Sequence, residues 1–204
     1  MKKSKDKNTE EQILKAAKFV FQSKGMVGAR MQEIADEAGI NKAMLHYYYR
    51  SKQMLFEAVF KNAFSLLAPQ LNTILNDDSS IEEKIRNFTS NYISFVIEHP
   101  YLPNFVIQEL NRNPEFILIM KESRDFPNIE KFKKKLVKEV KNNIIKPISA
   151  EQLFINILAL NIFPFVAKPL IMGLTNTDET TYINLIDQRK TEAADFIINS
   201  IKMV

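Results

Sequence analysis

Residues 10–56 read EEQILKAAKFVFQSKGMVGARMQEIADEAGINKAMLHYYYRSKQMLF, and the spacing of their apolar residues decides how the chain folds. Ile13, Ala16, Ala17, Val20 and Phe21 recur at i, i+3, i+4, i+7 and i+8, the stripe of a helix lying on a core. Thr9 ahead of Glu10 and Glu11 supplies an N-cap, so the spacing predicts a first helix over 10–23. Gly25 follows Lys24 and suits the left-handed position that ends a helix. Met31, Ile34, Ala35 and Ala38 repeat the pattern over a shorter length, and Gly39 closes it in the same way. Only Ile40 separates Gly39 from Asn41, whose side chain can accept from backbone N–H groups of the next turn. Leu45 and Tyr49, four apart, fall on the core side of a third helix and leave Ala43, Met44, His46 and Tyr47 on the opposite arc. Three short helices with a glycine turn between the second and third read as a helix-turn-helix, which lays its last helix in the major groove of DNA.

The same residues resemble the TetR-type one-component transcription repressors. That family's usual pattern is met by Ile13-Leu14-Lys15-Ala16-Ala17, by Gly25, by Ile34-Ala35-Asp36-Glu37-Ala38-Gly39-Ile40-Asn41 and by Leu45-His46-Tyr47-Tyr48-Tyr49-Arg50-Ser51-Lys52. The resemblance implies an all-α fold: an N-terminal helix-turn-helix DNA-binding domain with a basic arm over 1–52, then a helical effector-binding and dimerisation domain over 53–204. It implies base-edge contacts from Lys42 and Gln32, residue types suited to guanine and adenine edges, with Ala43 and Met44 against thymine methyls. His46, Tyr47, Tyr48 and Lys52 match places where the family grips phosphates, and Arg30 and Asn41 complete the expected DNA-binding set. Three positions depart from the pattern. Ala29-Arg30 stand where a threonine pair usually caps the second helix, so the cap is lost and Arg30 becomes the phosphate contact. Ala43 replaces a glycine and favours helix by roughly 1 kcal/mol. His46 replaces a tyrosine, keeping a hydrogen-bond donor with a shorter reach.

Charge is distributed as this reading requires. The net charge of the 204 residues is +4, and residues 1–60 hold 11 Lys+Arg against 7 Asp+Glu while the remainder balances. Excess positive charge at one end is the footprint of a protein that meets a polyanion there, although Lys2, Lys3, Lys5 and Lys7 against Asp6 also make a plain solubilising tail. With no cysteine there is no disulfide, zinc ribbon or thiol nucleophile. No apolar run approaches the ~20 residues of a membrane span, and the lysine-rich start is unlike a secretory signal, so a cytoplasmic protein is expected. The two histidines, His46 and His99, lie in different regions, and neither a Gly-rich phosphate loop nor a metal-ligand spacing occurs. An enzyme, a metal and a cofactor are therefore not expected. The alternative reading is a hydrophobic-ligand carrier or sensor whose helical head binds protein rather than DNA.

Beyond the head the pattern stays helical. Leu55, Phe56, Val59, Phe60, Ala63 and Leu67 continue a fourth helix over 51–68, which Pro69 kinks or ends. A loop over 76–80 precedes a helix over 81–98 with Ile85, Phe88, Tyr92, Phe95 and Val96 on one stripe, stopped by His99-Pro100. Short helices are predicted over 104–111 and from Pro114, then another over 128–143. This last carries Lys131, Lys133, Lys134, Lys135, Lys138 and Lys141: a second nucleic-acid patch or a solvated face. The stripe of Ile129, Phe132, Leu136, Val137 and Val140 favours the solvated face.

Residues 150–172 are nearly all apolar and, with 180–203, are expected to form a homodimer through a four-helix bundle, as the resemblance also implies. Pro164 and Pro169 bend the first of the pair and free carbonyls, which reads as a ligand pocket or, more simply, a packing bend. Aromatic side chains are dense in this region. The resemblance implies a small-molecule effector enclosed by Phe88, Tyr92, Phe95, Phe105, Phe116, Phe154, Phe163 and Phe165, with Gln108, Glu109 and Asn161 fixing its polar groups.

Overall fold

The computed structural model describes residues 2–76, 78–121, 126 and 129–203, with the side chains of 2–7, 73, 74 and 119 outside the description. The basic arm's side chains, Asp77 of the predicted loop, and Pro127 and Asn128 at the expected start of the lysine-rich helix therefore lie outside the described residues. The described secondary structure is all α-helix, with a single isolated bridge between Ile145 and Lys202. Contacts divide the chain into two compact units, Met1–Phe64 and Ser65–Val204. The sequence boundary at 52/53 follows the motif; the contact boundary falls inside the fourth helix.

In the first unit, α1 (Lys2–Gly28) buries Ile13, Ala16, Ala17, Val20 and Phe21, the predicted stripe. It starts well before residue 10, so Thr9 lies within the helix and does not cap it. Gly25 (φ 64°, ψ 176°) interrupts the helix at positive φ, as its position after Lys24 predicts, and one further turn completes it. Helix α2 (Met31–Glu37) buries Ile34 and Ala35 and ends in a Schellman arrangement. Gly39 (φ 67°) donates to the Asp36 carbonyl at 3.1 Å and Ile40 to that of Ala35 at 3.0 Å. Helix α3 (Lys42–Tyr48) begins where the Asn41 side chain accepts the Met44 N–H at 2.8 Å. Phe21 meets Phe56 edge-on at 4.9 Å, joining α1 to α4 (Lys52–Asn76). Burying one such aromatic contributes about 1.5–3 kcal/mol.

Pro69 lies inside α4, which continues past it, contrary to the expected end near residue 68. Leu67, Ala68 and Leu75 are buried, so the apolar face continues through the proline and holds the helix together.

The second unit is built on α5 (Ile81–Glu98), which has the predicted limits and an unpredicted capping box between Ser80 and Glu83. Next come α6 (Leu102–Arg112), α7 (Phe116–Lys121) and α8 (Glu130–Lys141). Pro114 precedes α7 rather than opening it. On α8, Val137 is 51% exposed and Glu139 takes the buried place expected of it, because the Glu139 carboxylate accepts the Ile81 N–H at the start of α5 (3.2 and 3.3 Å).

The apolar segment expected as one kinked helix is two, α9 (Ala150–Val166) and α10 (Lys168–Thr175), bent by 73°. Pro169 opens the new helix in its first turn, where its missing N–H is harmless. Among the described residues no single helix is long and apolar enough to cross a membrane; the bent pair reaches that content only when taken together. Helix α11 (Glu179–Ile201), capped by Asp178, runs antiparallel to α5: Arg86 pairs with Asp195 at 2.6 Å while Ile93 packs with Tyr182 and Ile186. It also satisfies the carbonyls around the bend. Pro164 cannot donate to Leu160, whose carbonyl accepts from Arg189 Nη2 at 2.8 Å, and the Pro164 carbonyl at the helix break accepts from Tyr182 Oη at 2.6 Å. This arrangement fits a packing bend.

Candidate nucleic-acid interface

Helix α3 is placed by what it buries. Leu45 is fully buried and Tyr49, just past the helix, nearly so. The Tyr49 hydroxyl donates to Glu10 at 3.1 Å, and burial, reinforced by the Glu10 charge, pushes its ionisation well above the usual phenol range. With that face fixed, Lys42, Ala43, Met44, His46 and Tyr47 are all exposed on the opposite arc, and Tyr47 is 82% exposed. An exposed tyrosine and methionine beside a lysine and a histidine give hydrogen-bond donors and methyl-contacting surface on one short helix, the mixture that groove readout uses. Tyr48 is half-buried, its ring edge-on to Tyr47 at 5.5 Å.

The other expected contacts flank this helix. Asn41 is exposed, with its side-chain oxygen engaged as the cap of α3, so its demonstrated work is structural. Arg30 is exposed at the N-cap of α2 and makes no side-chain cap bond, as the loss of the threonine pair predicts. Gln32 is exposed and donates to Asp36 at 2.8 Å, within its own helix. Lys24 pairs with Glu33 at 3.1 Å, tying the end of α1 to α2; this hydrogen-bonded ammonium holds the Glu33 carboxyl below the usual carboxylate range.

Lys52 is half-buried and its ammonium donates to the carbonyls of Ala29 (3.0 Å) and Val27 (3.3 Å). The motif marks it as a phosphate contact, whereas this geometry clips the α1–α2 connector. The motif reading passed over Arg50, exposed in the short turn between α3 and α4; a cation immediately before the Ser51-Lys52 pair was the available signal.

In the second unit the expected effector residues separate. Phe88, Tyr92, Phe105 and Phe116 are buried, Phe88 and Tyr92 stacked at 5.2 Å, while Phe95, Phe154 and Phe165 are half-buried. Phe163 is 57% exposed and departs from the expected set. It follows Asn161 by two residues, which turns it to the side of α9 opposite the buried Ile157, Asn161 and Pro164. Gln108 also departs from it: it is exposed on α6 and bonded to Asn104, because Phe105, Val106 and Glu109 occupy the inward face. Glu109 is buried and neutralised by Arg112 at 3.0 Å. Asn161 donates to the Ile157 carbonyl (2.8 Å) and to Thr89 Oγ1 (3.3 Å), while its own Oδ1 has no partner among the described residues. The buried Tyr92 hydroxyl also has no partner among the described residues, and burial raises its ionisation above the usual phenol range.

A capped, exposed third helix on a three-helix core, followed by a separate all-helical unit, defines the class of helix-turn-helix DNA-binding proteins. Residues 13–59 match the sequence model described as "Bacterial regulatory proteins, tetR family". Over those residues the chain resembles this family. It is 29% identical over 92 residues to the HTH-type transcriptional repressor NicS of Pseudomonas putida, a match covering 45% of this chain and 43% of that one. It is 33% identical over 88 residues to the HTH-type transcriptional activator FasR of Mycolicibacterium smegmatis, covering 43% of this chain and 40% of that one. The match thus spans less than half the length of either relative. The crystal structure of a TetR family transcription regulator from Marinobacter aquaeolei shares the fold with TM-score 0.67 and 17% identity, covering 99% of this chain and 100% of that one. These relatives are regulators and not enzymes.

Proposed function

We propose that this chain is a cytoplasmic transcription regulator that binds a duplex operator as a homodimer and is released by a small hydrophobic or amphipathic effector. The observation that carries the reading is the division of α3: Leu45 and Tyr49 in the core, and Lys42, Ala43, Met44, His46 and Tyr47 outward on one exposed arc. Lys42 and Gln32 are the base-reading residues; Arg30, His46, Tyr47 and Tyr48 position the head on phosphates. Repression is the preferred sense, after NicS, although FasR is named an activator.

Dimerisation through the last helices is supported by Ile155, Phe163, Leu170, Leu174, Ile183 and Phe196, large apolar side chains of α9, α10 and α11 that are exposed in the single chain. Two heads then meet half-sites about one helical turn apart, roughly 34–36 Å, or a distance that DNA bending permits. The effector reading rests on Tyr92 Oη and Asn161 Oδ1, a donor and an acceptor in an aromatic interior with no partner among the described residues. A ligand that supplied both missing bonds in one state only would bias the equilibrium, since each orphaned group costs about 1–3 kcal/mol. Moving the population from 1:99 to 99:1 takes about 5.5 kcal/mol of differential affinity.

The test is duplex affinity against salt, using sequences selected from a randomised pool. About 6–10 phosphate contacts weaken binding by roughly 10³–10⁵ between about 50 and 200 mM salt. A flat response, or no sequence enriched at low salt, overturns the reading.

A further inference from the structure

Helix α8 carries two kinds of lysine. Lys131 pairs with Asp78 at 3.0 Å, Lys133 with Glu151 at 2.7 Å and Glu130 at 3.6 Å, and Lys135 with Glu139 at 3.6 Å. Lys134, Lys138 and Lys141 are exposed and have no carboxylate partner among the described residues. At 3.6 residues per turn these three and Val137 fall within an arc of about 100°, over about 10 Å of helix. The opposite face holds the buried Phe132, Leu136 and Glu139. Three like charges in one row repel one another, and Val137, exposed within that row, is continuous with an apolar surface beside it.

Alongside the row lies a groove of about 510 Å³ lined by Val137, Val140, Lys141, Pro147, Ile148 and Ser149. The α8–α9 connector forms one wall and α8 the other, and among the described residues no carboxylate lines it. We propose that this groove docks an acidic, amphipathic segment of a protein partner. Its apolar side chains would cover Val137, Val140, Pro147 and Ile148 while its carboxylates lie over Lys134, Lys138 and Lys141. A helical segment with carboxylates at i, i+4 and i+7 mirrors the lysine row and places an apolar residue at i+3 against the groove. A nucleic acid would satisfy the lysines and leave the apolar floor facing water. A bilayer surface is matched no better, because the groove offers no aromatic or leucine side chain to insert. The peptide uses both halves of the surface.

The experiment uses the full chain and a short fluorescein-labelled peptide with glutamates at i, i+4 and i+7 and leucine between them, beside its glutamine counterpart. The glutamate peptide binds, more weakly as salt rises, and the glutamine peptide does not. Charge reversal at Lys134, Lys138 and Lys141 together lowers affinity about tenfold, a factor of about two for each exposed pair. Val137→Ser, a mild change on an exposed position, lowers it severalfold with the far-ultraviolet circular dichroism unchanged. Equal binding of the two peptides, no binding of either, or indifference to the triple reversal overturns the proposal. So does a triple reversal that diminishes binding to random duplex DNA or to anionic phosphatidylglycerol vesicles as much as to the peptide. The helix-turn-helix reading stands or falls separately, because none of these side chains belongs to the head.

Discussion

Replacing Lys52 with alanine separates two roles that the motif alone confounds. Its ammonium spans the carbonyls of Ala29 and Val27, at 3.0 and 3.3 Å, on the connector that leads from Gly25 to the uncapped start of α2. Those carbonyls end a helical run, where a lysine side chain is a favourable donor. Two charge-assisted bonds at a half-exposed site contribute about 1 kcal/mol together once solvent screening is discounted. For a chain of this length that corresponds to about 2–4 °C in Tm. If the same ordering is needed when the head meets DNA, affinity for every duplex falls by about fivefold, the equivalent of 1 kcal/mol. A clip within the protein releases no counterions, so the plot of log affinity against log salt shifts downward without changing slope. A phosphate contact would instead take about 0.9 from the slope.

The assay is fluorescence anisotropy of a selected duplex titrated at several salt concentrations, with thermal unfolding of each variant measured in parallel. Lys52→Met keeps most of the apolar stem and removes the charge, so it controls for packing. Parallel lines for wild type and both variants, with lowered Tm, are expected. A slope reduced by about 0.9 with unchanged Tm refutes the clip and returns Lys52 to the phosphate backbone.

Lys42→Ala should relax preference at one base pair by about 1–3 kcal/mol while leaving affinity for random duplex little changed, read from a mutant-operator competition series. Asn41→Ala removes the acceptor for the Met44 N–H and should cost about 1 kcal/mol of stability, seen as a lower denaturation midpoint in urea. Leu45→Ala empties a fully buried site in a small three-helix core; a loss of about 2–5 kcal/mol should melt the head and abolish duplex binding, measured by urea titration and anisotropy. Tyr182→Phe leaves the Pro164 carbonyl short of its donor and should cost about 1–3 kcal/mol in thermal unfolding, with duplex affinity per folded molecule unchanged.

What the sequence disclosed follows the strength of local constraint. Gly25 and Gly39 were readable because a positive φ leaves few other choices, and Asn41 because a short amide before a helix has one favourable use. The limits of α5 were likewise set locally, by His99-Pro100. Prolines misled where packing decided the outcome. Pro69 is expected to kink or end the helix over 51–68, yet α4 continues through it with Leu67, Ala68 and Leu75 buried. Pro169 was expected to kink a helix that it instead begins. The Leu160 carbonyl freed by Pro164 is satisfied by Arg189, far along the chain, which no local window contains. Periodicity also misplaced Val137, since the inward place on α8 goes to Glu139, a carboxylate whose partner is the backbone of α5.

The exposed arc of α3 was legible for a different reason: the two faces of the helix carry different burdens. Leu45 and Tyr49 fix the rotation of α3, and the Glu10 bond to Tyr49 holds that rotation from the first helix. Ala43, His46 and Tyr47 are exposed and make no part of the core, so replacing them should change stability by less than about 0.5 kcal/mol. B-form DNA offers every such head the same groove width, which constrains the spacing of the buried residues more tightly than the identity of the exposed ones. The family match over 13–59 follows the part of the chain under that constraint. The second unit carries no such external template and is set by its own packing. The chain as a whole shares its fold with the Marinobacter aquaeolei regulator at 17% identity, as expected where volume and polar satisfaction can be met by many side-chain combinations.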